Sequence, residues 1–273
     1  MTSTADITQF QTLIWNYFQQ SGRHDLPWRQ ALADGQLDPY VITVSETMLQ
    51  QTQVQRVIPK YHEFLRLFPT VQDLAAAELG TVLTAWSGLG YNRRAKFLWQ
   101  AGQAIIDYHD GLFPRTAAEL ISLPGIGKNT AGAILAYAFN QPVVFIETNI
   151  RSVYIHHFFT DKTDITDADI LQLVARSVDQ QHPREWYWAL MDYGTYLKKT
   201  VGNASKQSKN YTKQLAFHGS RRQIRGQVIR HLTQSSQTFE SLQFQINDER
   251  LAEVLEALVI EDMITRVADV YRL

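Results

Sequence analysis

Apolar residues recur at helical spacing along most of the chain. Ile7, Phe10, Leu13, Ile14, Tyr17 and Phe18 form one stripe, stopped by Gly22 and the LPW turn. Val54, Val57, Ile58, Tyr61, Phe64, Leu65 and Phe68 form another, ended by Pro69. Further helical patterns cover roughly 92–108, 129–139, 147–158, 167–181 and 184–198, separated by turns such as HDGLFP and SLPGIGK. Past residue 200 the pattern changes. NASKQSKN is polar and reads as a linker, and RRQIRGQVIRHL reads as a short basic helix. DERLAEVLEALVIEDM puts Leu251, Val254, Leu255 and Leu258 on one helical face, and MITRVADVYRL alternates as a hairpin does. That order is the order of a small winged-helix unit, with a plain helical cap as the alternative. The expected class is mainly α, divided into a helical region (1–200), a basic linker (201–220) and a winged-helix-like domain (221–273).

Composition narrows the classes. The 273 residues are 45% hydrophobic and 19% charged, ample for a globular core. With no run of 18 apolar residues and no basic-then-apolar leader, the chain is expected to be soluble, cytoplasmic and free of membrane contact. The cysteine count is zero, which excludes disulfides, thiolate nucleophiles and cysteine-ligated zinc or iron–sulfur sites. The formal charge of −1 hides an asymmetry. Residues 193–239 hold nine basic and no acidic groups, and residues 240–273 hold three basic and eight acidic ones. The basic run reads as a polyanion-facing strip or as a solvated linker.

Three stretches carry candidate chemistry. In LPGIGKNTAGAI, residues 123–134, Pro124 fixes a turn, and Gly125 and Gly127 permit positive φ and close backbone approach. A helix starting at Lys128, Asn129 or Thr130 would point free N–H groups at an anion, and RTAAELISL before it completes a helix–hairpin–helix suited to a DNA phosphate. In FIETNIRSV, Glu147 stands in an otherwise apolar or neutral run, either as a carboxylate with a task or as a helix-end acid. In SETMLQQTQV, Glu46 lies among Val41, Ile42, Val44, Met48 and Leu49, a setting that raises a carboxyl pKa as a general acid requires.

LPWR (26–29), SETMLQQTQV (45–54), FPTVQDLA (68–75), WSGLGYNRRA (86–95), LPGIGKNTAGAIL (123–135) and LMDYGTYL (190–197) occur together and in order. Over about residues 8–200 the chain thereby resembles the helix–hairpin–helix DNA base-excision glycosylases, and among them the MutY-type adenine glycosylases. The resemblance implies a two-lobed helical fold acting on double-stranded DNA with a damaged or mispaired base, as a nucleoid-associated monomer. It implies Glu46 as the acid that protonates the leaving base. Glu147 would stabilise the sugar cation, where the family reads Asp-Gly-Asn-Val and this chain reads Glu-Thr-Asn-Ile, keeping Asn149. Gln50, Gln51 and Tyr91 match residues that wedge into DNA or face the orphaned base. Arg93, Arg94 and Lys96 follow near phosphates, Lys128 faces phosphate, and Leu123 and Gly125 carbonyls would hold K+ or Na+. Bifunctional relatives carry a Schiff-base lysine where this chain has Asn129, so it is expected to lack lyase activity.

Two departures shape the expectation. Relatives with four C-terminal cysteines hold an iron–sulfur cluster, and this chain has none to offer. About seventy residues after position 200 are too few for the Nudix-like domain of MutY-type enzymes. Arg221, Arg222, Arg225 and Arg230 would instead give a winged unit its own phosphate contacts. Adenine in a mismatch is the expected target. The alternatives are another damaged or deaminated base, or a catalytically silent DNA-structure binder.

Overall fold

The computed structural model describes residues 3–32, 35–160, 162–213 and 216–273, so Gln214 and Leu215 of the expected linker lie outside the described residues. Fourteen helices run α1 (Thr4–Ser21), α2 (Pro39–Leu49), α3 (Val54–Leu67), α4 (Val71–Ala76), α5 (Leu79–Trp86), α6 (Arg93–His109), α7 (Ala117–Ser122), α8 (Lys128–Tyr137), α9 (Thr148–Phe158), α10 (Asp167–Ser177), α11 (Pro183–Thr200), α12 (Arg221–Leu232), α13 (Phe239–Ile246) and α14 (Leu251–Ile260) among the described residues. Strands β1 (Gln237–Thr238), β2 (Thr265–Val267) and β3 (Val270–Arg272) complete them. The mainly helical class expected from periodicity is observed. Among the described residues no helix is long and apolar enough to cross a membrane.

The chain forms two compact units. The first comprises Met1–Thr43, Arg115–Ser122 and Ile126–Lys213. Its helices start on side-chain caps where the sequence supplies them. Ser3 with Asp6 and Thr166 with Asp169 form capping boxes that satisfy free N–H groups at the starts of α1 and α10. The apolar stripe of α1 (Ile7, Phe10, Ile14, Phe18) is buried, and the Phe10 ring lies 5.2 Å from Tyr154 and 6.0 Å from Trp186. α9 and α11 cross closely at Gly194, where a Cβ would meet the Asn149 carbonyl oxygen at 2.6 Å. The motifs LPWR and LMDYG prove to be one lock. Arg29 donates to both Asp192 oxygens at 2.8 and 2.9 Å, and Arg23 adds a bond at 2.7 Å. Part of the expected linker is ordered, with a 3-10 turn at Ala204–Gln207 and a parallel bridge from Ser208 to Ile165.

The second unit comprises Val44–Pro114, Leu123–Gly125 and Gln214–Leu273. α4 packs on α6 with Leu74 and Leu98 buried, and Trp86 at the end of α5 is fully buried beside Phe64. Its C-terminal portion runs α12, β1, α13, α14, β2, β3, with an antiparallel sheet ordered β1-β3-β2. Ile224, Val228, Leu242, Val254, Leu258 and Tyr271 fill its core. The sequence pattern had suggested two helices and a hairpin here; α13 and β1 are additional.

Candidate nucleic-acid interface and carboxylates

In the second unit one guanidinium organises the segments that hold the expected wedge residues. Arg94, in the first turn of α6, donates through Nη1 to the carbonyls of Thr47 (2.7 Å), Met48 (3.0 Å) and Gln50 (2.7 Å). Through Nη2 it reaches the Gly90 carbonyl (3.0 Å) and the Thr52 hydroxyl (3.2 Å). It thus satisfies carbonyls that the end of α2 leaves without helical partners, and it joins α2 to the loop before α6. Burial pushes its pKa down to about 10, so it stays charged at neutral pH. The sequence reading had put Arg94 near phosphate; the structure turns its side chain onto the backbone. The two loops it holds carry Gln51 at φ 57° and Tyr91 at φ 50°, left-handed conformations uncommon for such residues. Gln50 is half-buried and Gln51 exposed. Glu46 sits half-buried on α2 between the buried Ser45 and Thr47.

The hairpin turn follows the expected plan with one difference. Gly125 takes φ 75°, and a Cβ there would strike the Cβ of Phe97 on α6 at 2.6 Å, so glycine is required twice over. Gly127 does not adopt positive φ: it caps α8 at φ −87°, an ordinary extended conformation. Lys128 and Asn129 are exposed and Thr130 half-buried in the first turn of α8, whose N-cap glycine offers no side chain to cap the helix. That turn presents N–H groups and a positive dipole end to an anion.

Glu147, in the first unit, occupies the N-cap of α9, yet its side chain makes no capping hydrogen bond. At this helix end the carboxylate faces the positive pole of the α9 dipole rather than filling the cap by a hydrogen bond. It is half-buried, and the residues after it are pinned. Ser205 and Ser152 both donate to the Thr148 carbonyl at 3.0 Å, and Lys198 donates to Asn149 Oδ1 at 2.7 Å. Burial holds the Lys198 ammonium below the ordinary lysine range, helped by Arg151, while the charge of Glu147 acts in the opposite sense. Sequence reasoning missed Lys198. The available signal was spacing: Gly194 and Lys198 are four apart on α11, and both meet Asn149.

Residues 44–178, which contain Glu46, the hairpin and Glu147, match the HhH-GPD superfamily base excision DNA repair protein family. The chain belongs to the HhH-GPD superfamily. It is 36% identical over 192 residues to an adenine DNA glycosylase of Buchnera aphidicola, covering 69% of this chain and 52% of that one. It is 36% identical over 200 residues to an adenine DNA glycosylase of Mus musculus, covering 71% and 39%. The chain thus spans about half the length, or less, of these curated relatives. Its fold is that of a thermostable thymine-DNA glycosylase, with a TM-score of 0.63 at 22% identity over 76% of this chain and 97% of that one.

Residues 221–273 lie outside the matched HhH-GPD segment, and their charges largely answer one another. Arg225 donates to both carboxylate oxygens of Glu261 at 3.1 and 2.6 Å, and Arg221 pairs with Glu253. Arg222 donates to the hydroxyl of Tyr91. Arg93 reaches Glu261 at 3.6 Å, and Lys96 donates to the Glu261 carbonyl. Arg221 and Arg225 of the basic run thus pair with Glu253 and Glu261 of the acidic run that follows it.

Proposed function

We propose that this HhH-GPD chain is a monofunctional DNA glycosylase that hydrolyses the N-glycosidic bond of adenine in a mispair. Curated relatives at 36% identity carry the adenine DNA glycosylase name, and both proposed acids fall within the matched segment. The observation that carries the reading is that Glu147 lies half-buried at the N-terminus of α9, beside an Asn149 anchored by Lys198, within the matched segment. In the proposed reaction Glu46 donates a proton to a ring nitrogen of adenine as the bond from C1′ breaks. The bonding electrons leave with the base. Glu147, ionised, stabilises the cation-like sugar until water adds at C1′, and the proton of that water passes to the Glu46 carboxylate. Gln50, Gln51 and Tyr91 would occupy the space the extruded base leaves, and the Lys128–Thr130 turn would hold a phosphate. Double-stranded DNA is the proposed partner, met as a monomer. Leu123 and Gly125 would offer neutral carbonyl oxygens, a donor set that suits K+ or Na+, which would tighten the turn on phosphate.

The test is base release from duplexes carrying adenine opposite guanine or 8-oxoguanine, together with uracil, thymine and alkylated-base mispairs. Glu46→Gln is expected to slow adenine release by about 10²–10⁴-fold, the usual scale of general acid catalysis. Release unaffected by Glu46→Gln, or a covalent adduct trapped by borohydride, would refute the assigned acid or the monofunctional chemistry. Preferential release of another base would favour the second reading, which the longer Glu147 side chain motivates.

A further inference from the structure

The unit formed by α12–α14 and the three strands has an unassigned task, and its contacts within the second unit indicate one. α12 does not carry all its arginines outward. Arg222 is half-buried; its guanidinium carbon lies 5.1 Å from the Tyr91 ring centroid and its Nη1 donates to the Tyr91 hydroxyl. Arg94 lies 5.5 Å from the same ring. The Tyr91 ring therefore faces two cations, one from α6 and one from α12. The remaining contacts keep α12 and α14 in register with α6. Lys96 donates to the Glu261 carbonyl and lies 3.4 Å from Asp262, and Arg225 fixes Glu261 from the α12 side. At the end of the chain, Leu273 fills the space above Gly80 on α5, where a Cβ would meet its side chain at 3.1 Å.

We propose that Arg222 is a positioning residue for Tyr91, and that the C-terminal unit acts as a buttress that fixes the wedge ring before DNA arrives. This rests on the glycosylase reading above for the role of Tyr91. The physical reason is conformational. Tyr91 sits at φ 50°, a backbone state with few intrinsic advantages, and a tyrosine ring with free torsions would lose that freedom on entering DNA. A cation on the ring and a donor on its hydroxyl remove the freedom beforehand. An arginine suits this task better than a lysine, because its planar fork both stacks on a ring and donates in its plane. Arg221 and Arg225, paired with Glu253 and Glu261, hold the helix that carries Arg222.

The experiment is a double-mutant cycle on the full chain with Arg222→Met, Tyr91→Ala and both together. A duplex with an adenine–guanine mispair and 2-aminopurine beside the adenine reports binding and unstacking by fluorescence, and adenine release gives kcat and KM. Arg222→Met is expected to weaken duplex binding and raise KM by roughly tenfold, the scale of one aromatic stacking contact, with kcat at saturation within about twofold. Tyr91→Ala should do the same, and the double variant should lose roughly tenfold rather than a hundredfold. Arg222→Lys should recover part of the loss, which a mere packing defect would not allow. Additive losses, unchanged binding in Arg222→Met, or tighter binding in it, as a gate would give, each overturn the proposal. Absence of base release by the wild type would sink the glycosylase reading alone, because the fluorescence cycle still reads the wedge.

Discussion

Two arginines, Arg29 buried and Arg94 half-buried, organise the two units, and they do it by opposite means. Arg29 in the first unit meets a carboxylate: Asp192 takes two of its hydrogen bonds and further bonds from Arg23, with both side chains almost wholly buried. Arg94 in the second unit meets neutral oxygens, four backbone carbonyls within 3.0 Å and one hydroxyl at 3.2 Å. The first arrangement joins segments 163 residues apart and is compensated in charge. The second gathers the ends of two adjacent loops and, among the described residues, forms no ion pair. A scaffold lock wants a counter-ion, because a lone buried charge is costly. A loop organiser beside the proposed DNA partner would gain from keeping its charge, since the field it leaves favours phosphate.

The largest expected effect tests the lock. Asp192→Asn leaves Arg29 and Arg23 without their anion and should lower stability by about 3–5 kcal/mol, the cost of breaking a buried pair from one side. Urea denaturation measures it. A loss below about 1 kcal/mol, the value of an exposed ion pair, would show that the pair is not a structural lock. Duplex affinity of the protein that remains folded should hardly change.

Arg94→Lys should reverse that profile. A lysine cannot reach carbonyls on both loops at once, so part of the set turns to water, and stability should fall by about 1–2 kcal/mol. Duplex KM should rise about tenfold, because the loops presenting Gln50, Gln51 and Tyr91 lose their common anchor, an effect near 1.4 kcal/mol. Equal stability losses and equal KM changes in the two variants would erase the distinction between scaffold lock and loop organiser.

The sequence made much of this legible where a local pattern carries the information. The helical stripes and the hairpin turn were readable because periodicity and glycine placement are local signals. The directions of arginine side chains were not. A residue in the first turn of α6 can point to solvent or back over the turn before it, and Arg94 takes the second course only because uncapped carbonyls of α2 lie within reach. The partnership of LPWR with LMDYG spans most of the first unit, so each motif read alone gives a turn and a helix. α13 was missed because Leu242 is its one buried residue while Phe244 is exposed, which leaves no stripe to detect. The pairing of Arg221 and Arg225 with Glu253 and Glu261 was not readable either, because those acids follow some thirty residues later in the chain.

The smallest effect separates the two arginines by pH. Burial alone would raise the Asp192 carboxyl, but the Arg29 hydrogen bonds and charge, with those of Arg23, hold it below the usual carboxylate range. A group with its folded pKa below an unfolded value of about 3.9 contributes fully above that pH and loses its contribution as pH falls through the folded value. Wild-type stability should therefore decline through that acid window with a component that Asp192→Asn lacks, so the two acid limbs converge as pH falls. Arg94, with a pKa near 10, does not titrate between pH 3 and 8, and its partners are neutral. Arg94→Lys should accordingly track the wild-type acid limb at a constant offset. A parallel limb for Asp192→Asn would show that the charge of the lock does not come from Asp192, and a converging limb for Arg94→Lys would show that Arg94 answers a titrating group.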